Sequence, residues 1–166
     1  RKKAEFWTRE NLAAIGSFGR NFATGFTVTL DRFGIDITKA EGKKPFDEII
    51  GHQKEVAELE VILTKSEFRN GLIVGEEGVG RKSIVQSLAW RCAKGQGQPE
   101  LNHRRVVELD MIALQAAMQN SDQLESALET IFQEATKAGN VILCIDELHQ
   151  YVGASASLGR VDISGI

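Results

Sequence analysis

The sequence predicts an α/β fold in which a parallel sheet lies between two layers of helices. Three observations carry that reading. Short apolar runs alternate with segments of helical period along residues 46–166. A glycine-rich loop, GEEGVGRKS (residues 75–83), joins one apolar run to a helical segment. Another apolar run, NVILCIDEL (140–148), ends in two adjacent carboxylates, Asp146 and Glu147. Strands buried on both faces read as continuous apolar runs, and their alternation with helices marks a parallel sheet.

Residues 1–45 scatter glycine, threonine and phenylalanine without sustained periodicity, and read as a lead-in segment that closes with EGKK before Pro45. The domain proper is expected over 46–166. It opens with FDEIIGHQKEVAELEVILTK, where Val56, Leu59 and Leu63 fall on one face at helical spacing. NGLIVG (70–75) is expected to be a buried parallel strand running into the glycine loop. SIVQSLAWRCAKG follows as a helix with Gly95 as its C-cap. After the connecting loop QGQPELNHRR, VVELDM is the second strand. SDQLESALETIFQEATKAG is an amphipathic helix with Leu124, Leu128, Ile131, Phe132 and Ala135 on one stripe, Ser121 or Asp122 as its cap and Gly139 as its stop. NVILCIDEL is the third strand.

With 166 residues, the chain is long enough for one domain with a proper core. Hydrophobic residues at 42% and charged residues at 26% match ordinary globular usage and argue against a disordered chain. A net charge of -3 gives no general attraction to nucleic acid or an anionic membrane. No stretch reaches the roughly 18–20 apolar residues of a membrane span. The basic start has no apolar core of signal-peptide length. Cys92 and Cys144 lack metal-ligand spacing and read as reduced core thiols, which points to a cytoplasmic setting. Without an initiator methionine, and stopping at VDISGI, the chain reads as a piece of a longer protein.

The glycine loop carries the chemistry. A Gly-rich turn between a buried strand and a helix aims backbone N–H groups, and the positive end of the helix, at one point that suits phosphate. Gly75, Gly78 and Gly80 lie in that turn. The usual pattern, G-x-x-x-x-G-K-[ST], puts a lysine on the β- and γ-phosphates and a hydroxyl on Mg²⁺. Here Arg81 follows the second glycine, with Lys82 and Ser83 behind it. An aspartate at the end of a buried strand can hold Mg²⁺ through water, and a following glutamate can orient or deprotonate the attacking water. Asp146 and Glu147 occupy those places. His149 is read as structural, Tyr151 and Trp90 as packing residues, and Trp7 as an exposed contact, while His52 and His103 carry no motif.

From LDRFGIDIT through FDEIIGHQKEV, GLIVGEEGVGRKSIVQSLA, VVELDMIAL and AGNVILCIDELHQYVGA, the chain resembles the first AAA+ module of Clp-type unfoldases and disaggregases, over about Thr29 to Ile166. The resemblance implies a three-layer P-loop NTPase fold, cut short before the sensor and lid regions. It also implies an ATP-driven hexameric ring of identical subunits that threads unfolded or aggregated polypeptides, in some members for a partner peptidase. Ile49, Ile50 and Gly51 would lie against the adenine. Residues Gly75, Glu76, Glu77, Gly78, Val79, Gly80, Arg81, Lys82 and Ser83 would hold the phosphates of ATP. Asp146 would bind Mg²⁺, Glu147 would polarise water, and an arginine from the neighbouring subunit would complete the site.

Two departures stand against that pattern. The family loop reads G-E-P-G-V-G-K-T followed by A-I-V-E-G-L-A, and the match of IVQSLA sets the register. Arg81 therefore falls at the lysine position, Lys82 at the metal-binding threonine, and Ser83 at the alanine after it. Arginine keeps the charge but is a planar fork rather than a compact point charge. Lysine cannot ligate a cation. The family's aromatic substrate-gripping position is Asn120, within QNSD (119–122). The expected function is thus an ATP-binding module of a Clp-like unfoldase, coupled to protein remodelling or to a protease. The alternative is a non-hydrolysing regulatory or structural ring subunit that binds nucleotide weakly or not at all. A DNA-acting loader has no basic stripe to support it.

Overall fold

The computed structural model describes residues 27–43 and 51–151. Six helices and three strands appear among them: α1 (Val28–Phe33), β1 (Gly34–Asp36), α2 (Ile37–Glu41), α3 (Gln53–Leu63), α4 (Arg81–Lys94), β2 (Arg105–Leu109), α5 (Met111–Ala117), α6 (Ser121–Ala138) and β3 (Val141–Cys144). A single 3₁₀ turn, Leu148–Gln150, follows β3.

The two faces of β2 organise the layers. Successive strand residues point to opposite faces, and Val106 and Val107, both fully buried, enter different cores. Val107 packs with Leu30, Leu114, Leu124, Leu128 and Ile131, so α1, α5 and α6 cover one face. Val106 packs with Ile37, Leu88, Ala89, Cys92 and Leu101, which puts α2 and α4 on the other. Helices thus cover both faces of the sheet, the expected three-layer α/β architecture. The predicted stripe of α6 faces the first core, with Leu124, Leu128 and Ile131 buried and Phe132 and Ala135 packed against them.

The sheet is mixed rather than wholly parallel. The pair β2–β3 is parallel, with Val106 opposite Ile142 and Glu108 opposite Cys144. β1, from the stretch read as lead-in, pairs antiparallel to β2, with Ile35 opposite Glu108. β1 has only three residues, too few for a period to register in the sequence. Arg105, at the start of β2, ties this segment down. It donates to Asp36 at 3.0 Å and to Asp31 at 2.6 Å. Glu134 on α6 accepts from the backbone N–H groups of Thr29 and Leu30 and so caps the start of α1.

The strand expected at residues 70–75 is not formed among the described residues. A strand needs a ladder partner, and none is paired to this run; Leu72 and Val74 are 74% and 83% exposed. The cap of α6 also differs from expectation. Asn120, not Ser121 or Asp122, accepts from Gln123 N–H at 2.9 Å. Its extended backbone suits a cap, whereas Ser121 and Asp122 are already helical. The stops hold as predicted, with Gly95 and Gly139 left-handed at φ 69°.

α3 docks onto α4 through Glu60, 2% exposed, which accepts from Arg91 Nε at 2.7 Å. Cys92 is buried and Cys144 half-buried, and both are free. Burial pushes each thiol up to about 11, in the protonated form. Tyr151 is buried in the first core as expected. Trp90 is half-buried, and its indole N–H has no partner. Among the described residues no helix is long and apolar enough to cross a membrane. Trp7 lies outside the described residues.

Candidate functional site

The site forms where the start of α4 meets the end of β3. Gly80 is the N-cap of α4 and takes a left-handed conformation, φ 96°. The left-handed backbone favours glycine, and a Cβ there would lie 2.7 Å from His52 Nε2, so the His52 ring would have to shift. The loop before it turns tightly, with Val79 N–H donating to Glu76 O at 3.4 Å. Glu76, Glu77, Gly78 and Val79 are exposed, and Ser83 is half-buried in the first turn of α4.

That first turn carries no acid; its first two residues are Arg81 and Lys82. Two cations at the positive end of a helix are unfavourable by themselves. Both are offset by the carboxylates beyond β3. Lys82 Nζ lies 2.8 Å from Asp146 Oδ2, and Arg81 Nη2 lies 3.6 Å from Glu147 Oε1. The hydrogen bond from Lys82 is the main influence holding the Asp146 carboxyl below its usual range, against burial, which pushes the other way. The same bond holds the Lys82 ammonium above its usual range.

Glu147 is left-handed, φ 53°, and opens the 3₁₀ turn. Its Oε2 accepts from Gln150 Nε2 at 3.2 Å and lies 3.5 Å from His149 Nε2. His149 is 71% exposed, so it stands on the surface beside an acid rather than in the core. Asp146 Oδ1 accepts from Glu147 N–H at 2.9 Å.

The structure therefore brings the expected loop residues and the expected acids together. Gly51 lies next to His52, whose ring rests on Gly80, so this part of the chain reaches the loop. Ile49 and Ile50 lie outside the described residues. Two contributors escaped the sequence reading. His52 carries no motif, and only the fold sets its ring against Gly80. Glu108 on β2 raises the Lys82 ammonium through its charge; its visible trace was an acid interrupting the apolar run VVELDM, placed by the ladder opposite Cys144.

A bound phosphate fits this place: a left-handed glycine, the N-terminus of a 14-residue helix and two cations converge on it. Mg²⁺ does not fit. It demands near-octahedral oxygen coordination and loses its water reluctantly. The position for its hydroxyl ligand holds an ammonium, and both Asp146 oxygens already accept hydrogen bonds or ion pairs within the chain.

A glycine loop leading into a helix, set against acids at the end of a strand in a three-layer α/β frame, defines a P-loop nucleotide-binding fold. The model of the ATPase family associated with various cellular activities (AAA) matches residues 71–163, more than half of the chain. The chain is 38% identical over 138 residues to the chaperone protein ClpB of Wolinella succinogenes, covering 83% of this chain and 16% of that protein. It is 37% identical over 142 residues to a homologue of the Clp protease ATP-binding subunit ClpA from Guillardia theta, covering 86% of this chain and 17% of that protein. In fold it is similar to the S. cerevisiae Hsp104–ADP complex, with TM-score 0.69, 24% identity, and coverage of 77% of this chain and 22% of that one. This chain belongs to the AAA family, among its Clp-type modules. It spans about one-sixth of the length of the curated relatives it matches.

Proposed function

We propose that this chain is the nucleotide-binding part of a Clp-type AAA+ module in a ring-forming chaperone or unfoldase that acts on unfolded or aggregated polypeptides in the cytoplasm. Residues 75–83 hold the phosphates of ATP, and residues 49–51 lie against its base. Asp146 and Glu147 face the phosphates from the end of β3. The observation that carries this reading is the convergence of Lys82 on Asp146, 2.8 Å, and of Arg81 on Glu147, 3.6 Å. These contacts support the reading because they set the loop beside the acids. A partner peptidase, as the name of the ClpA homologue suggests for that protein, is a further expectation for the whole assembly.

The same contacts favour a second reading, a ring subunit that binds nucleotide without cutting it. Asp146 is paired to an ammonium at 2.8 Å and Glu147 faces a guanidinium at 3.6 Å, so each carboxylate already has a cation of this chain where a metal or attacking water would be served.

Titration of the full-length protein with fluorescent ATP, any further nucleotide module being inactivated, tests the first reading. Saturable binding lost in Gly80→Val, with unchanged circular dichroism, supports it; absence of saturable binding in the parent refutes it. Turnover that appears only in Arg81→Lys with Lys82→Thr supports the second.

A further inference from the structure

We infer that Lys82 is the resident counter-ion of this site, standing where a divalent metal would bind, and that the loop takes a metal-free nucleoside polyphosphate. This rests on the reading of the loop as a nucleotide site.

Three features of the geometry lead there. First, the ammonium is tethered in the place of the metal. Lys82 occupies the second position of α4, and its Nζ is already 2.8 Å from Asp146 Oδ2. A tethered cation meets its partner at high effective concentration and need not be recruited from solution. Second, the surroundings repel a second cation. A metal approaching Asp146 would meet Lys82 directly and Arg81 close by, at 3.6 Å from Glu147. It would find Asp146 Oδ1 accepting from Glu147 N–H. Among the described residues no three His, Cys, Asp or Glu side chains are grouped to hold an ion instead. Third, the side chain has freedom to share itself. Lys82 is 72% exposed, so its ammonium can contact an incoming phosphate while staying beside Asp146. The depressed Asp146 carboxyl and the raised Lys82 ammonium agree with a pair charged throughout the neutral range.

The chemical consequence concerns ligand choice. An ammonium supplies one positive charge where Mg²⁺ supplies two, and it cannot bridge β- and γ-phosphates through an ordered ligand sphere. The site is suited to holding a nucleotide, with the diphosphate accepted as readily as the triphosphate.

The test uses the full-length protein with any further module inactivated, and fluorescently labelled ADP as the probe. Titrations run in EDTA and in excess Mg²⁺, for the parent, Lys82→Thr and Lys82→Gln. Lys82 is exposed, and glutamine is a good helix former, so folding is preserved in the Gln variant. The parent is expected to bind equally, within about twofold, in both conditions. Lys82→Gln is expected to lose about tenfold in EDTA, the loss of one charge-assisted hydrogen bond. Lys82→Thr is expected to bind more tightly with Mg²⁺ than without. Manganese resonance gives a second readout, with nucleotide-dependent bound Mn²⁺ only in Lys82→Thr. Binding by the parent that needs Mg²⁺ overturns the inference and leaves the nucleotide reading standing. Binding in EDTA unchanged by Lys82→Gln also overturns it. No binding in either condition overturns both.

Discussion

Arg105→Met removes the charged side chain that ties the helix–strand–helix segment 28–41 to the central strand, leaving the bond from Val106 N–H to Thr38 Oγ1 at 2.7 Å. The guanidinium is 12% exposed and bridges two acids of unequal environment. Asp36 is 10% exposed and loses a 3.0 Å partner. Breaking a buried pair costs about 3–5 kcal/mol, because a desolvated charge is left behind. Asp36 keeps the backbone N–H of Lys39 at 3.0 Å and the Lys39 ammonium at 3.4 Å, which places the cost at the lower end. Asp31 is 53% exposed, so water screens it and its share is at most about 1 kcal/mol. The sum is about 3 kcal/mol, which is roughly a hundredfold in an opening equilibrium.

Native-state hydrogen exchange on the full-length protein reads this opening directly, since local units exchange at their own free energies. Amides of α1, β1 and α2 should exchange about a hundredfold faster in Arg105→Met, while those of α6 change less. Adding Asp36→Asn removes the stranded charge, so the double variant should recover part of the loss; a coupling of at least about 1 kcal/mol is expected for groups in contact. A change under about threefold in the single variant would refute the account of Arg105 as the tie. The pH dependence has a definite sign. Burial pushes the Asp31 carboxyl up, but hydrogen bonds from Arg105 and Thr27 outweigh it and leave it below its usual value. A depressed carboxyl stabilises above its unfolded pKa, so this contribution holds at neutral pH and is lost as pH falls below about 4.

Two further outcomes are expected. Leu128→Ala opens a cavity at a fully buried position between α6 and β2 and should destabilise the module by about 2–5 kcal/mol, read as a lower unfolding midpoint; a shift below about 1 kcal/mol would show that the first core does not depend on this stripe. Asn120→Ala removes the cap of α6 and should cost about 1 kcal/mol, seen as faster exchange in the first turn of that helix; unchanged exchange would mean that Asn120 does not cap it in solution.

Asn120 also shows how position and role part company. Beside the family pattern it reads as a lost aromatic; in the fold it accepts from Gln123 N–H and begins a helix of 18 residues. The cap was one residue from where the sequence placed it. Ser, Asp and Asn are all good caps, and only the backbone angles choose among neighbours.

Signals that act over a few residues were legible in the chain itself. The stripe of α6 follows from helical period and the stops at Gly95 and Gly139 from glycine's tolerance of left-handed backbone, whereas the register of Arg81 and Lys82 came from the resemblance of the run IVQSLA to the family pattern. Asp146 and Glu147 were legible too, because two adjacent acids closing an apolar run are costly unless they are used. Contacts between distant parts of the chain were decided by tertiary structure alone. The antiparallel sense of β1, the absence of a ladder for residues 70–75, the ring of His52 against Gly80 and the 2.8 Å approach of Lys82 to Asp146 all depend on which surfaces the packed layers bring together. Periodicity and capping are properties of one segment, whereas a ladder or an ion pair needs two, and no local pattern specifies its partner.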